Sequence, residues 1–337
     1  MLSCPTLECG LPRRRGSELE VRIRATPSFI NRLLVFAIAI ISSCKTSVEP
    51  LDTEQVSVQP PSDSSVVYIS YKNMMLQRQQ MFVTTDYINS NLVQGYGLAD
   101  WPVWSPEKRE IAYTLGGSML WVMRYDGENA RMLGQAFDYL TSPRWSHNGR
   151  RLAIIAVFKG AMGCYLIDSS GGNLRRVADT SLIPRWSLMG FAYVDWMRGD
   201  SSLLIGYSQL DSPYVSSSIG ILYLNSGRFF QVSNLEYLAP SQPRASPTRD
   251  EMVFIGNDHL GYNGKLYRAN LDGYGVVKLC DAWECQEPCW SRDGERIMFL
   301  KRDGDTLPLA IWVINRDGTN LREIFGTEGF HVLEPDW

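Results

Sequence analysis

A segment of about 45 residues occurs five times in succession, and this repeat restricts the possible folds more than any other feature of the chain. Each copy contains a short approach, an anchor residue, a polar turn and an apolar strand. The anchors are Trp104, Trp145, Trp196, Ala245 and Trp290. Successive anchors lie 41, 51, 49 and 45 residues apart, and Trp337 follows after another 47. This period predicts an architecture built from copies of one supersecondary unit.

Each copy continues after its apolar strand with two further strands, which are joined by a turn that contains glycine. The last copy has the sequence AIWVINRDGTNLREI at residues 310–324. Its Asp317-Gly318 pair suits a tight hairpin, because both residue types tolerate positive φ. Four antiparallel strands in about 45 residues are typical of a β-propeller blade. We name these strands A to D in chain order.

The two ends of the repeat array complement each other. Residues 66–94 contain three strand patterns that match B, C and D without an A strand. The C-terminal HVLEPDW, residues 331–337, matches an A strand without the other three. Together they make a sixth blade, and pairing of the last strand with the first partial blade would remove the open edges of the ring. The sequence therefore predicts an all-β, six-bladed propeller domain over residues 66–337.

The repeat closely resembles that of the TolB-type, WD-like propellers. The best match is W-S-x-D-G-x-x-I from Trp290, followed by I-W-V-I-N-x-D-G-T-N-L from Ile311. The resemblance implies a six-bladed propeller, and it implies function only weakly. The match is degraded at Trp196, where Trp186-Ser187 offers an alternative anchor. We favour Trp196, because a turn and a strand follow it, and we expect Trp186 to lie in a long connection between two blades.

An export signal precedes the repeats. Arginines at positions 22, 24 and 32 approach an apolar run of nine residues, 33–41. This run is too short to span a bilayer, which needs about 20 residues, and suits the core of a secretory signal. Ile41-Ser42-Ser43-Cys44 resembles a bacterial lipobox, which implies cleavage before Cys44 and lipid attachment to it. A plain secretory signal and a short membrane anchor remain alternatives.

The segments on either side of the signal predict the bounds of the signal peptide, a tether and the membrane to which the protein is anchored. Residues 1–20 fit neither a signal nor a domain, so we interpret residues 1–43 as a signal peptide with a misassigned upstream extension. Residues 44–65 lack aromatics and contain Pro60-Pro61, which predicts a flexible tether after the lipidated cysteine. Because Lys45 rather than Asp follows Cys44, resemblance to enterobacterial sorting favours an outer-membrane lipoprotein facing the periplasm.

Catalytic and cofactor motifs are missing from the sequence. Its three histidines, His147, His259 and His331, have no metal-ligand spacing. There is no G-x-S-x-G elbow and no phosphate-binding glycine loop. With 33 basic and 36 acidic residues, the chain lacks the concentrated positive charge that nucleic acid requires. We therefore expect no enzyme activity, no metal, no cofactor and no nucleic-acid partner.

Three cysteines cluster in the last full repeat. In an oxidising compartment a disulfide is favoured, and we predict it between Cys280 and Cys285, because Cys289 should enter an inner strand beside Trp290. A zinc site made by all three cysteines is the alternative, which the lack of a nearby histidine disfavours. Cys164 lies in a strand pattern and is expected to be buried.

The connections between strands carry the candidate binding residues. B–C and D–A connections look long and varied, whereas A–B and C–D turns look short, and the two varied types should emerge on one face. The aromatic, histidine and acidic residues predicted there are Tyr214, Tyr237, His259, Tyr262, Trp283, Asp211, Asp258 and Asp305. We expect a noncatalytic scaffold that binds an envelope protein or a peptide, the latter at the mouth of the central tunnel. A carbohydrate-binding protein or glycan-active enzyme at the same face is the alternative.

Overall fold

The structure is a computed structural model that describes residues 62, 65–71, 80–84, 90–94, 99–182, 186–211, 214–257, 263–304, 307–325 and 331–337. All of them belong to the compact unit Thr53–Trp337. The predicted signal peptide, the lipid site Cys44 and nearly all of the predicted tether lie outside the described residues. In the described ranges, no helix is long and apolar enough to cross a membrane.

The described residues form six sheets of four antiparallel strands each. Blade 1 contains β1 (Val66–Tyr71), β2 (Gln80–Thr84), β3 (Ser90–Gln94) and the last strand, β24 (His331–Asp336). Blade 2 contains β4 (Ala99–Trp104), β5 (Glu110–Leu115), β6 (Met119–Arg124) and β7 (Arg131–Met132). Blade 3 contains β8 (Tyr139–Trp145), β9 (Arg151–Phe158), β10 (Ala161–Asp168) and β11 (Arg175–Asp179).

The remaining three blades repeat the same order. Blade 4 contains β12 (Trp186–Trp196), β13 (Ser202–Asp211), β14 (Tyr214–Tyr223) and β15 (Arg228–Gln231). Blade 5 contains β16 (Ser241–Ala245), β17 (Glu251–Gly256), β18 (Lys265–Asn270) and β19 (Val277–Cys280). Blade 6 contains β20 (Glu284–Trp290), β21 (Arg296–Arg302), β22 (Ala310–Asn315) and β23 (Arg322–Phe325). Two 3-10 turns lie between blades, at Thr180–Leu182 and Glu236–Leu238. The predicted six-bladed propeller is confirmed.

The strand ends confirm the repeat anchors and correct two boundaries. The inner A strands of blades 2 to 6 end at the five predicted anchors, including Trp196. Trp186, however, is the first residue of the long strand β12 and does not lie in a connection. The connection predicted to carry Asp211 and Tyr214 is instead mostly strand, with these two residues paired at the tip of a hairpin.

The loops on one face of the ring have nearly uniform lengths, whereas those on the other face vary in length. Between the described strands, every A–B turn of blades 2 to 6 has five residues, and their C–D turns have four to six. B–C connections range from two residues in blade 3 to eight in blade 5, and D–A connections range from three to nine. We call the side with these varied connections the variable face and the opposite side the turn face.

The first and last strands close the ring as predicted. In β24, Asp336 lies opposite Val67 of β1, and His331 lies opposite Tyr71, in an antiparallel register. On the turn face, Lys108 Nζ donates to the carbonyl oxygens of Ser62 and Ser65, at 2.9 and 3.0 Å. The chain therefore enters β1 on the turn face, where it is fixed to the A–B turn of blade 2.

The hydrophobic core is divided into six clusters, one for each contact between neighbouring blades. At the seam between blades 6 and 1, Trp337 and Tyr68 pack with Met298 and Ile311. Each blade thus buries both of its faces against its neighbours. This is why strands such as β9, RLAIIAVF, are apolar without alternation.

One glycine is needed for packing inside blade 4. A Cβ atom added at Gly220 in β14 would overlap the ring of Phe229, which itself contacts Tyr207 at 5.5 Å between ring centroids. We expect Gly220→Ala to lower the free energy of unfolding by about 1–3 kcal/mol, because overpacking displaces the ring. Gly172→Ala is the matched control, since its Cβ would meet only Ser170 Oγ at 3.8 Å. Thermal denaturation checks this; equal melting temperatures for both variants would contradict it.

Candidate functional site: the central channel and the variable face

The inner strands bulge at equivalent positions around the axis. Trp101, Ser142, Gln242 and Glu287, each three residues before an anchor, have φ between 51 and 56°. The register of β4, β8, β16 and β20 with their partner strands breaks at the same points. Positive φ in residues other than glycine is uncommon and marks a β-bulge that redirects a side chain.

Three of the bulged residues contact one another or Tyr193 across the axis, on the side of the variable face. Trp101 of blade 2 meets Tyr193 of blade 4 edge to face, with 5.9 Å between ring centroids. Gln242 Nε2 donates to the hydroxyl of Tyr193 at 3.1 Å, and its Oε1 accepts the backbone N–H of Glu287 at 2.6 Å. These contacts connect four blades across the axis, so we call Trp101, Tyr193, Gln242 and Glu287 the aromatic plug.

A ring of six residues, four of them Asp or Arg, lies one step nearer the turn face, at the position just before each anchor, and we call it the charged ring. Its members, in blade order from blade 1, are Asp336, Val103, Arg144, Asp195, Arg244 and Cys289. Asp336 Oδ2 accepts the N–H of Trp104 at 2.8 Å, and Asp195 Oδ2 accepts the N–H of Ala245 at 2.9 Å. Arg144 Nη1 lies 3.9 Å from Asp336 Oδ1. Two carboxylates therefore hold neighbouring inner strands together and balance two guanidinium groups.

Burial shifts the pKa values of two members of the charged ring, Arg244 and Asp336. Arg244 is 4% exposed, and burial together with the like charge of Arg144 lowers its pKa to about 10. Burial raises the pKa of Asp336, although Arg144 and the N–H of Trp104 oppose the rise. The Nε atoms of both arginines are buried without a hydrogen-bond partner. The charged ring is therefore a desolvated polar network.

Little space remains between the aromatic plug and the charged ring. The cavity there has a volume of about 10 Å³ and is lined by Trp101, Pro102, Arg144, Arg244, Glu287 and Pro335. Such a volume accommodates about one water molecule. This cavity has no room for a peptide.

Two of the predicted binding residues are strongly exposed on the variable face. Tyr237 is 55% exposed in the D–A connection between blades 4 and 5, and Trp283 is 45% exposed in the next one. Both connections are fixed to the ends of the B–C connection of blade 5. Asn257 N–H donates to Leu238 O at 2.6 Å, and Lys265 Nζ donates to Trp283 O at 3.1 Å. Tyr237 and Trp283 thus flank one connection from opposite sides.

The topology assigns the other predicted residues to the same face. Asp211 and Tyr214 end the hairpin of blade 4, where their backbones pair and their side chains are not described. Asp258, His259 and Tyr262 belong to the B–C connection of blade 5, and Asp305 belongs to that of blade 6; all four lie outside the described residues. His147 is on the turn face, where its Nδ1 lies 2.9 Å from Asp200 Oδ1.

The four cysteines in the described part of the chain are buried free thiols. Cys280 and Cys285 are both free, and the disulfide between them stays a prediction. Cys289 belongs to the charged ring and Cys164 to strand β10; burial raises the pKa of both. Among the described residues, no group of three His, Cys, Asp or Glu side chains is arranged to hold a metal.

Comparison with solved structures identifies the architecture. TolB from Acinetobacter baumannii superposes with a TM-score of 0.67 at 16% identity, covering 82% of this chain and 67% of that one. A putative TolB from Agrobacterium tumefaciens gives 0.59 at 18% identity, covering 77% and 88%. This chain folds as a TolB-like six-bladed β-propeller.

Another solved structure with a similar fold is that of an enzyme. Oligogalacturonate lyase from Vibrio parahaemolyticus has a TM-score of 0.50 at 10% identity, covering 77% of this chain and 73% of that one. No family model matches the chain, and no curated protein matches it. At these identities the likeness establishes the fold alone.

Sequence reasoning missed two features of this TolB-like propeller. The charged ring could have been found by comparing the position before each anchor, where arginine and aspartate recur. The second is an exposed aromatic pair on the outer strands of blade 4: Tyr223 and Phe230 are 43% and 51% exposed, with centroids 5.8 Å apart. Only the spacing of aromatics in a C–D hairpin could have indicated that pair.

Proposed function

We propose that this TolB-like propeller is a noncatalytic scaffold of the cell envelope that binds a protein partner on its variable face. The observation that carries the proposal is the exposure of Tyr237 and Trp283 on adjacent connections. The cavity inside the ring has a volume of about 10 Å³, which is room for about one water molecule. Tyrosine and tryptophan are the residues most enriched at the energetic centres of protein interfaces. A surface of this kind suits an extended partner better than a small substrate.

The loops that carry these aromatics are held in place before binding. Lys265 Nζ donates to the carbonyl of Trp283, and also to that of Ala282. Leu238, next to Tyr237, donates its N–H to Leu235 O at 2.9 Å within the 3-10 turn. Loops that are already ordered lose less conformational entropy on association, which favours tight binding to a complementary surface.

The proposed location depends on the N-terminal sequence. The signal pattern and the lipobox at Cys44 support export and lipid attachment, and the outer membrane facing the periplasm is the proposed site. The lipid would be the only contact with a membrane.

A glycan ligand at the same face is the second candidate. The likeness of the fold to oligogalacturonate lyase from Vibrio parahaemolyticus favours it, and exposed aromatic rings also stack on sugars. This alternative uses the same residues, so one set of variants tests both.

Crosslinking in intact envelopes tests the proposal. We expect the double variant Tyr237→Ala, Trp283→Ala to lose a partner that the wild type captures, with affinity reduced by about 30-fold, since central aromatic anchors contribute about 2 kcal/mol or more. The matched control is Tyr223→Ala, Phe230→Ala, which removes an equally exposed aromatic pair elsewhere in blade 4.

The control defines how the result is interpreted. Loss of the partner in the first variant only, with unchanged melting temperatures, supports the variable face. Equal capture by both variants would refute the assignment of the face. If the wild type captures no protein but binds oligosaccharides on an array in a Trp283-dependent way, the glycan candidate replaces the scaffold.

A further inference from the structure

The D–A connection between blades 5 and 6 is bounded by two cysteines. Cys280 is the last residue of β19, and Cys285 is the second residue of β20. Both lie against the same segment of blade 5: Cys280 is opposite Leu266 in the sheet, and Cys285 N–H donates to Gly264 O at 2.7 Å. The two ends of the connection therefore lie beside Leu266 and Gly264, two residues apart in blade 5, and Trp283 is between the two ends.

Both thiols belong to one buried cluster that also contains Leu266. Hydrogen bonding with the Cys285 thiol lowers the pKa of Cys280 to about 7; burial opposes the shift, and a backbone bond at Ala282 and the charge of Lys301 assist it. The same hydrogen bond, aided by burial, raises the pKa of Cys285. Lys301 lies opposite Cys285 in the sheet. The pair therefore consists of a thiolate-forming cysteine and a protonated neighbour, an arrangement suited to thiol–disulfide exchange.

We propose that Cys280 and Cys285 form a reversible thiol–disulfide site that fixes the connection carrying Trp283. The co-reactant is a disulfide, either a small molecule or a protein thiol oxidase. The site is independent of the identity of the partner that the variable face binds.

The reaction is a thiol–disulfide exchange in which the co-reactant disulfide is the oxidant. The Cys280 thiolate attacks one sulfur of the co-reactant disulfide, forms a mixed disulfide and releases the first thiolate, which takes up a proton. Cys285 then loses its proton to water and attacks the sulfur of Cys280, releasing the second thiolate. Two protein thiols are oxidised by two electrons, and one disulfide is reduced to two thiols.

Oxidation would close a small loop that contains Asp281, Ala282, Trp283 and Glu284. Exposed residues in such a loop lose conformational freedom when a covalent bond replaces a hydrogen bond. We therefore expect amide hydrogen exchange at positions 281–284 to be slower in the oxidised protein than in the reduced protein, with no change in the equivalent connection at Tyr237.

Incubation of the purified full chain with oxidised glutathione, followed by peptide mapping, tests the proposal. The expected product joins Cys280 to Cys285 with the loss of two hydrogen atoms, and dithiothreitol reverses it. In the reduced protein, iodoacetamide should modify Cys280 about tenfold faster than Cys289, because more of it is thiolate at pH 7. Cys280→Ser and Cys285→Ser should each abolish the bond, whereas Cys289→Ser should leave it unchanged.

Other results would overturn the proposal. These are full alkylation of both thiols after oxidant treatment, a bond that uses Cys289, or a Cys285→Ser variant that forms no glutathione adduct at Cys280. Melting temperatures of the variants separate loss of the bond from loss of the fold.

Discussion

Deletion of residues 331–337 is expected to leave the protein without a cooperative thermal unfolding transition. The deletion removes β24, the inner strand of blade 1, and with it the pairing to β1. It also removes Trp337 from the seam cluster, where the Arg296 guanidinium lies 4.6 Å from the centre of the indole ring. These losses together exceed the roughly 5–15 kcal/mol by which a folded protein of this kind is stable.

Calorimetry and circular dichroism measure this effect, and two further variants control it. Trp337→Ala alone should cost about 3–5 kcal/mol, as for other buried aromatics. A permuted chain that carries residues 331–337 ahead of Val66 on a short turn should recover the transition, because Asp336 and Val67 are already opposite each other. A deletion variant that melts cooperatively near the wild-type temperature would show that the seam is dispensable.

Asp336→Ala is expected to lower the free energy of unfolding at neutral pH by about 3–5 kcal/mol, the cost of removing one partner from a buried ionic network. The substitution leaves Arg144 without its carboxylate neighbour and the N–H of Trp104 without its acceptor. Asp336→Asn keeps an acceptor for that N–H and should cost less. Chemical denaturation of the three proteins measures the difference.

The stability of the wild type relative to Asp336→Asn should change with pH in one direction. Burial raises the pKa of Asp336 in the folded state, so the folded protein binds this proton more tightly than the unfolded protein does. The resulting stabilisation is complete below the unfolded pKa of about 3.9 and is lost as the pH rises through the folded value. We expect the stability of the wild type relative to Asp336→Asn to fall between pH 4 and neutrality. A relative stability that rises with pH would mean that Arg144 outweighs burial.

The ring of blades could be predicted from sequence because each blade is encoded locally. Each repeat of about 45 residues contains its own glycine-containing turns and apolar strands. The same pattern returns in the next repeat, so one repeat supports the interpretation of the next. The errors arose where blade 4 departs from this template. Its first three strands have 11, 10 and 10 residues, and their extra polar residues resemble loops although they pair in a hairpin.

The centre of the ring could not be predicted from single repeats. Trp101 and Tyr193 meet across the axis from blades that are not neighbours, and Arg144 approaches Asp336 in the same way. The bulges that direct these residues inward have Trp, Ser, Gln and Glu at positive φ, whereas turn chemistry favours Gly, Asn or Asp there. These residues come together only when all six blades have closed into a ring.

The pairing of β24 with β1 also determines when this protein can fold. His331 and Tyr71 are among the most distant positions in the sequence that any sheet of the described structure brings together, and such non-local contacts slow folding. Until β24 and Trp337 are synthesised, β1 has no inner neighbour and the seam surface of blade 6 is uncovered. The nascent chain therefore exposes an unpaired strand edge for almost the whole of its synthesis, the condition under which aggregation competes with folding and chaperones become necessary.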